Sequence, residues 1–283
     1  MNQTGPILKN NLQKQTVVVI PARFASTRLP GKALLDIGGK PMICRVAERA
    51  RAAKDVDRVI VATDSTEILE IVRAEGFEAE LTSDAHVSGT DRIAEVIALL
   101  PEADIIVNLQ GDEPLISPET IERAVACMKH EQTRMDGAGI VTTWEPIETL
   151  ENLLNKDCVK VVIGDRGQAL YFSRSPTPFP RAATERHGSL DEALISEPEL
   201  LKNFRKHTGL YVYRRDVLMD FTRWPATALE KFEGLEQLRA LENGVVIRVI
   251  QASTPSIGVD TQADLERVRE VFRSGAATEF AVR

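Results

Sequence analysis

Three continuous apolar segments, each followed by a segment with helical spacing, constrain the fold of this 283-residue chain most strongly. The apolar segments are Val17–Ile20, Val59–Ala62 and Ile105–Leu109, and none shows the polar alternation of a half-exposed strand. Strands covered by helices on both faces have this pattern, so the sequence predicts an α/β fold with a mainly parallel sheet. Helices are predicted over Met42–Ala53, Thr66–Glu75, Arg92–Leu100, Pro118–Lys129 and Gln262–Phe272.

The second half of the chain predicts a β-hairpin and three more strands. Val159–Ile163 and Ala169–Ser173 flank a Gly-Asp-Arg-Gly segment, whose residues suit a hairpin turn. The further strands are predicted over Gly137–Trp144, Leu210–Tyr213 and Val245–Ile250.

One long segment, Pro176–Lys206, has neither a helical nor a strand period and is predicted to be irregular. A structureless stretch of that length in a compact domain is usually functional or mobile. We therefore predict a long loop at 176–206. A mobile lid near a ligand site and a neutral surface insertion both stay open as its role.

The first apolar segment leads directly into a basic, glycine-containing loop. Arg23, Arg28 and Lys32 supply three cations within ten residues, Ser26 adds a hydroxyl, and Gly31 lets the backbone approach a ligand closely. This mixture at the carboxyl end of a parallel strand suits a triphosphate. The spacing is neither that of a Walker A loop nor that of a dinucleotide-binding loop. We predict a phosphate-binding loop rather than a solvated basic surface.

Two acidic residues follow predicted strands in the same way. Asp112 comes after Ile105–Leu109, and Asp260 comes before the last helix. Asp260 alone also suits the N-cap of that helix. However, Mg²⁺ binds through one or two carboxylates together with phosphate oxygens and water. The pair therefore predicts a magnesium site beside the phosphate-binding loop.

Composition excludes several classes of protein. The net charge of −7 and pI of about 5.3 argue against a nucleic-acid-binding surface. The three cysteines show no C-x-x-C spacing, which fits a reducing, cytoplasmic location. No segment approaches the ~20 apolar residues of a membrane span, so membrane insertion is not expected. Residues 1–15 are polar and are predicted to be a disordered extension.

Several motifs together are more specific than any one of these signals. Pro21 begins the segment PARFASTRLPGKALLDIGGKPM. The other motifs are VATD from Val61, HVSGTDR from His86, VNLQGDEP from Val107, YFSR from Tyr171, HTGLY from His207, LEQLR from Leu235 and GVDT from Gly258. In sequence and order they closely resemble the 3-deoxy-manno-octulosonate (Kdo) cytidylyltransferase family, the CMP-Kdo synthetases of Gram-negative bacteria. The resemblance covers roughly residues 16–272.

The resemblance implies a Rossmann-like, glycosyltransferase-A-like nucleotidyltransferase fold with a mixed, mainly parallel sheet. It implies one cytidylyltransferase domain over residues 16–283. Residues 158–215 would form a smaller hairpin-containing subdomain that binds sugar and makes a homodimer contact. Compared with the family pattern, this subdomain would include an expanded loop at 176–206, centred on Ala182–Leu200.

The reaction implied is the transfer of CMP from CTP to Kdo, which gives pyrophosphate and a CMP-Kdo product for lipopolysaccharide biosynthesis. A sugar hydroxyl attacks the α-phosphorus, and the protein mainly aligns the reactants and neutralises charge. Arg23 and Lys32 would stabilise the phosphate charge. Asp112 and Asp260 would hold Mg²⁺ and complete the catalytic set.

The resemblance also implies the binding residues. The nucleotide would contact Ala22, Arg23, Ser26, Arg28, Lys32, Ser88, Gly89, Thr90 and Gln110. The sugar would contact Arg174, His207, Tyr211, Glu236 and Gln237. Arg174 suits a carboxylate, and Glu236 and Gln237 suit ring hydroxyls.

Three alternatives stay open. The first is a CMP-sugar synthetase for 8-amino-Kdo or a sialic acid, although the first loop of sialic acid enzymes is usually of a Gly-Ser-Lys-rich type. The second is an enzyme that transfers UMP or dTMP to a sugar phosphate, which would need a more glycine-rich first loop. The third is a catalytically silent nucleotide-binding relative. Such a relative would be free to lose its metal-binding acids, yet Asp112 and Asp260 are both present.

Overall fold

The computed structural model describes residues 13–24 and 29–275. The predicted N-terminal extension lies outside these residues up to position 12, and the first strand already begins at Gln15. Ser26 and Arg28 also lie outside the described residues.

The strands are β1 Gln15–Ala22, β2 Asp36–Ile37, β3 Lys40–Pro41, β4 Arg58–Thr63, β5 Glu78–Leu81, β6 Ala103–Asn108, β7 Ile140–Pro146, β8 Lys160–Ile163, β9 Ala169–Ser173, β10 Arg205–Arg214 and β11 Ile247–Gln251. The helices are α1 Met42–Ala52, α2 Thr66–Ala74, α3 Gly89–Ala98, α4 Pro118–Glu131, α5 Leu150–Leu154, α6 Arg181–His187, α7 Leu190–Ser196, α8 Arg215–Phe221, α9 Ala228–Glu233, α10 Gln237–Glu242 and α11 Gln262–Arg273. Two 3-10 helices span Lys32–Leu34 and Pro198–Asn203.

The main sheet is mixed and mostly parallel, as predicted. Its strand order is β11-β7-β10-β6-β1-β4-β5. β1 runs parallel to β4 and β6, β4 to β5, and β7 to β11, whereas β10 is antiparallel to both β6 and β7. The predicted hairpin is the antiparallel pair β8 and β9, which joins the sheet through β10.

Burial on both faces of the sheet explains the continuous apolar segments. In β1, Val18 and Ile20 pack into one apolar cluster with residues of α1 and α4. Val17 and Val19 point to the opposite face and pack with residues of α3 and α8. All four side chains have no exposed surface, which explains why this segment is apolar at every position.

Parallel strands place their carboxyl ends at one edge of the sheet, and this edge carries the candidate site. The chain leaves β1 at Ala22, β4 at Thr63 and β6 at Asn108. Because β1 pairs with the other two strands in parallel, the residues that follow each strand lie next to one another. We call this the nucleotide edge.

The prediction of an irregular loop at 176–206 is wrong, because α6, α7 and a 3-10 helix occupy most of it. α6 and α7 have seven residues each, too few to show a helical period in the sequence. Local capping and burial hold them. The Ser189 hydroxyl accepts a hydrogen bond from the backbone N–H of Glu192 at 3.1 Å, and Leu194 packs with Leu153 and Phe204.

Candidate active site

Lys32 brings together the two predicted metal-binding acids. Its Nζ lies 2.6 Å from Oδ2 of Asp112 and 3.1 Å from Oδ1 of Asp260. Gly31, which precedes it, has a φ of +65°, and this left-handed conformation turns the chain into the 3-10 helix that begins at Lys32. Three segments far apart in sequence therefore meet at the nucleotide edge.

The charge of Lys32 is retained in this environment. Its side chain is only 15% exposed. Burial by itself lowers the pKa of Lys32, but the carboxylates of Asp112 and Asp260 outweigh this effect, so the net pKa is raised. The ammonium group is therefore a fixed positive charge at neutral pH.

The same two carboxylates fit a divalent ion of the magnesium class. They already share one cation, the Lys32 ammonium group, so both can face a single positive charge. Among residues 13–24 and 29–275, no group of three or more His, Cys, Asp or Glu side chains forms a metal site. A bound Mg²⁺ would thus take its remaining ligands from phosphates and water, which is how Mg²⁺ is commonly bound.

A second contact network holds the beginning of the predicted phosphate-binding loop, and sequence reasoning gave it no role. Asp64, just after β4, accepts a hydrogen bond from the Phe24 backbone N–H at 3.3 Å and pairs with the Arg92 guanidinium at 2.7 Å. Arg92 has no exposed surface. Arg23, one of the two predicted catalytic cations, donates to the carbonyl of His86 at 3.0 Å. Both Asp64 and Arg92 lie in recognised motifs, but only the structure reveals that they are partners.

A pocket of about 200 Å³ opens beside this edge. It is lined by six predicted site residues, Gly89, Thr90, Gln110, Tyr211, Glu236 and Gln237, and by two that sequence reasoning missed, Asn108 and Tyr213. The structure therefore brings predicted nucleotide residues and predicted sugar residues into one pocket. Ala22, a further predicted nucleotide contact, is the last residue of β1 and directly precedes Arg23.

Direct hydrogen bonds order this pocket. The Thr90 hydroxyl donates to Oε2 of Glu236 at 2.9 Å, and Gln110 Nε2 donates to Oδ1 of Asn108 at 3.0 Å. Ser88 caps α3 in a reciprocal capping box with Asp91, so the helix begins at Gly89, three residues before the predicted start at Arg92. Burial is the main reason that the pKa of Glu236 is raised, against the opposing effect of the Thr90 hydrogen bond.

Arg174 does not line this pocket. Its guanidinium group donates to three backbone carbonyls: Nε to Glu233 at 2.7 Å, one terminal nitrogen to Lys156 at 2.9 Å and the other to Gly234 at 3.2 Å. Contact between Arg174 and the sugar stays a prediction. In the structure this side chain joins β9 to the end of α9.

His207 is also absent from the pocket lining. Its Nε2 lies 2.9 Å from the Thr142 hydroxyl, and its ring packs edge-on against Phe172, with the centroids 4.9 Å apart, and beside Tyr211. Burial lowers the pKa of His207 to about 3, so the ring is neutral at neutral pH. Its predicted sugar contact stays untested, while its packing role is evident.

Glu113 is next to Asp112, and the sequence left open whether it supports the metal ligands or is merely exposed. Burial first, and the neighbouring charge of Asp112 second, raise the pKa of Glu113 to about 7. Its carboxylate accepts a hydrogen bond from the Ser256 hydroxyl at 2.5 Å. Glu113 thus connects the segment after β6 to the segment before Asp260.

Within the part of the chain that the structure describes, no helix has the length and apolar character needed to cross a membrane.

Comparison with known proteins gives consistent matches. A protein-family model described as cytidylyltransferase matches residues 17–249. The chain is 51% identical over 255 residues to the 3-deoxy-manno-octulosonate cytidylyltransferase of Geobacter sulfurreducens, covering 90% of this chain and 98% of that protein. The protein of the same name from Geobacter metallireducens is 51% identical over 253 residues, covering 89% and 95%. A solved structure of CMP:2-keto-3-deoxy-manno-octonic acid synthetase complexed with CTP matches with a TM-score of 0.81 and 41% identity, over 93% of this chain and 100% of that one.

Proposed function

The chain belongs to the 3-deoxy-manno-octulosonate cytidylyltransferase family, and we propose that it transfers CMP from CTP to Kdo with release of pyrophosphate. The observation that carries this proposal is the 51% identity to a relative of that name over 98% of the relative's length. The nucleotide edge agrees with it, because Lys32, Asp112 and Asp260 form a charged cluster suited to a metal-bound triphosphate. The product would supply activated Kdo for lipopolysaccharide biosynthesis.

The phosphates would lie at the nucleotide edge. Asp112 and Asp260 would hold Mg²⁺, which in this class of reaction neutralises the charge of the phosphate oxygens. Lys32 would then donate to phosphate oxygens in place of one carboxylate, and its fixed charge would stabilise the negative charge that develops as pyrophosphate leaves. Arg23, Ser26 and Arg28 are proposed to complete the phosphate contacts.

The base and the sugar would share the pocket beside this edge. We assign Ser88, Gly89, Thr90 and Gln110 to the nucleotide, and Tyr211, Glu236 and Gln237 to the sugar. The Thr90–Glu236 hydrogen bond joins the two groups at 2.9 Å, which supports a pocket that holds both substrates at once. Holding the attacking hydroxyl and the α-phosphorus together is the principal catalytic contribution expected in such a reaction.

We further propose that residues 158–215 form a sugar-binding and dimerisation subdomain and that the enzyme is a cytoplasmic homodimer. Two exposed apolar side chains in this region, Leu170 at 56% and Phe179 at 61%, support an interface. The proposed use of CTP supports a cytoplasmic location. Light scattering should give twice the chain mass of 31.3 kDa, and a monomer at micromolar concentration would refute the dimer.

Pyrophosphate release tests the reaction. Purified protein should release pyrophosphate only when CTP, Kdo and Mg²⁺ are all present, and EDTA should abolish the release. Replacing CTP by UTP or dTTP tests the base, and replacing Kdo by 8-amino-Kdo or N-acetylneuraminate tests the sugar. Preference for another sugar would revise the substrate. CTP binding with no pyrophosphate release under any of these conditions would mark a catalytically silent relative and overturn the proposal.

A further inference from the structure

We propose that Glu113 is a positioning residue that braces the two metal-binding segments, so that Asp112 and Asp260 are held at the separation a single divalent ion needs. The inference rests on the proposed function in so far as that function assigns these two aspartates to the metal. The name metal brace is used below for Glu113, Ser256 and Gly258.

Two hydrogen bonds join the segments independently of Lys32. The backbone N–H of Val259 donates to the carbonyl of Asp112 at 2.9 Å, directly beside both aspartates. The Ser256 hydroxyl donates to Oε2 of Glu113 at 2.5 Å. The first bond uses the backbone of Asp112, and the second uses the side chain of its neighbour Glu113. The two segments therefore cannot slide past each other without losing both bonds.

Close packing at Gly258 fixes the same relation sterically. A Cβ atom placed on Gly258 would lie 2.9 Å from Oε1 of Glu113, closer than real Cβ contacts allow. The backbone of Gly258 is not in the left-handed region, so a Cβ atom here would displace the Glu113 carboxylate rather than strain the backbone. The Glu113 carboxylate therefore rests directly on the backbone two residues before Asp260.

The segment that contains Ser256 is also held from the side opposite Glu113. The backbone N–H of Ser256 donates to Oε1 of Glu145 at 2.9 Å, and Glu145 is paired with Lys206 Nζ at 3.0 Å. The Glu145 side chain is only 6% exposed. A cavity of about 10 Å³ between Glu113, Glu145 and Ser256 has room for one water at most. The segment before Asp260 is thus held between two carboxylates.

Such a brace would act on metal affinity. Asp112 and Asp260 carry like charges, which repel each other unless a cation lies between them. A fixed separation removes the cost of reorganising the two segments when the ion arrives. Groups that orient metal ligands from behind typically change metal affinity or activity by about 10- to 100-fold when they are altered.

The test measures metal binding directly. Mn²⁺ serves as the probe, and its binding is followed by electron paramagnetic resonance with a non-hydrolysable CTP analogue present. Gly258→Ala and Glu113→Ala should each weaken Mn²⁺ binding about 10-fold or more. Glu113→Gln, which keeps the length and an acceptor oxygen for Ser256, should retain more affinity than Glu113→Ala. Thr254→Val is the matched control, because the Thr254 hydroxyl lies in the same segment, is buried and has no hydrogen-bond partner in the described structure.

A double-variant cycle separates the brace from general damage. If Gly258→Ala acts through its clash with Glu113, its effect on Mn²⁺ binding should shrink when Glu113 is already alanine. Additive effects would overturn the brace, because Gly258 would then act independently of Glu113. Equal losses for Glu113→Gln and Glu113→Ala would also overturn it and indicate that the Glu113 charge acts on the ion itself. Normal Mn²⁺ binding by folded Gly258→Ala would also overturn it. Brace-dependent Mn²⁺ binding without pyrophosphate release would instead leave the brace standing and refute the proposed function.

Discussion

The nucleotide edge and the proposed sugar-binding subdomain, residues 158–215, hold their candidate functional side chains in different ways. At the nucleotide edge, Lys32 and Asp260 lie 228 positions apart in the sequence, and their charged groups contact each other. In the subdomain, the polar atoms of Arg174 and His207 form hydrogen bonds with neighbouring protein groups. Sheet topology brings the segments of the first region to the same place, because parallel strands end at one edge. In the second region, the position of each side chain depends on its own hydrogen-bond partners.

This difference predicts separable effects. Changes at the nucleotide edge should affect catalysis with little effect on folding, because the cluster is polar and lies at the sheet's edge. Changes at Arg174 or His207 should affect stability as well, because their partners belong to the framework of the fold.

The largest effect is expected for Asp112→Asn, which should lower kcat about 100-fold or more while the melting temperature stays near that of the wild type. The variant loses an anionic metal ligand but keeps the shape of the side chain. Steady-state pyrophosphate release at saturating CTP and Kdo measures it. Asp216→Asn is the control, since Asp216 pairs with Arg214 on the surface at 2.8 Å. A fully active, folded Asp112→Asn enzyme would remove Asp112 from the site.

Lys32→Ala should lower kcat more than it weakens CTP binding. Lys32 contacts carboxylates in the free protein and is proposed to meet phosphate charge that grows in the transition state. Comparing kcat with the Kd of the non-hydrolysable CTP analogue measures the two effects separately. Equal losses of kcat and of CTP-analogue affinity would indicate that Lys32 is a general phosphate anchor. Unchanged kinetics would indicate that the loop is a solvated basic surface.

Arg174→Lys should lower the melting temperature and raise the Kdo KM about 10-fold, with little change in the CTP KM. Lysine keeps the charge, but it cannot donate to the carbonyls of Lys156, Glu233 and Gly234 together. Calorimetry and the two KM values check this. Arg214→Lys is the control on a surface pair. If CTP affinity falls instead and the KM for Kdo is unchanged, Arg174 acts in the nucleotide region. The contrast between the two regions would then be refuted.

The smallest effect at neutral pH is expected for His207. Its pKa is lowered to about 3 in the folded protein. The unfolded chain titrates near pH 6.5, as a free histidine does. Between these values the unfolded state binds the extra proton, so stability is lost as pH falls below about 6.5. Denaturant titrations of His207→Gln should show a weaker loss between pH 6.5 and 4 than the wild type, whereas His130→Gln, at an exposed position, should match the wild type.

The sequence was sufficient for the sheet and for the charged cluster. Val17–Ile20 is apolar at every position because both faces of β1 are buried, and that pattern is visible without a structure. Asp112 could be placed near Lys32 because both follow parallel strands.

The sequence was not sufficient where partners are backbone atoms or distant side chains. The Arg174 acceptor at Glu233 is a carbonyl 59 residues away, and a carbonyl leaves no mark in the sequence. The partners Asp64 and Arg92 are 28 residues apart on different elements, and no local pattern links them. α6 and α7 were missed because seven residues are too few for periodicity to be read.

Isotopic labelling tests the central claim most directly, namely that the nucleotide edge directs attack at the α-phosphorus of CTP. The purified enzyme would be given Kdo, Mg²⁺ and CTP labelled with ³²P at either the α or the γ position. The account predicts that the α label appears in a CMP-sugar and the γ label in pyrophosphate, and that Asp112→Asn suppresses both products together. Transfer of the γ label to the sugar, or release of labelled orthophosphate with no labelled sugar, would contradict it.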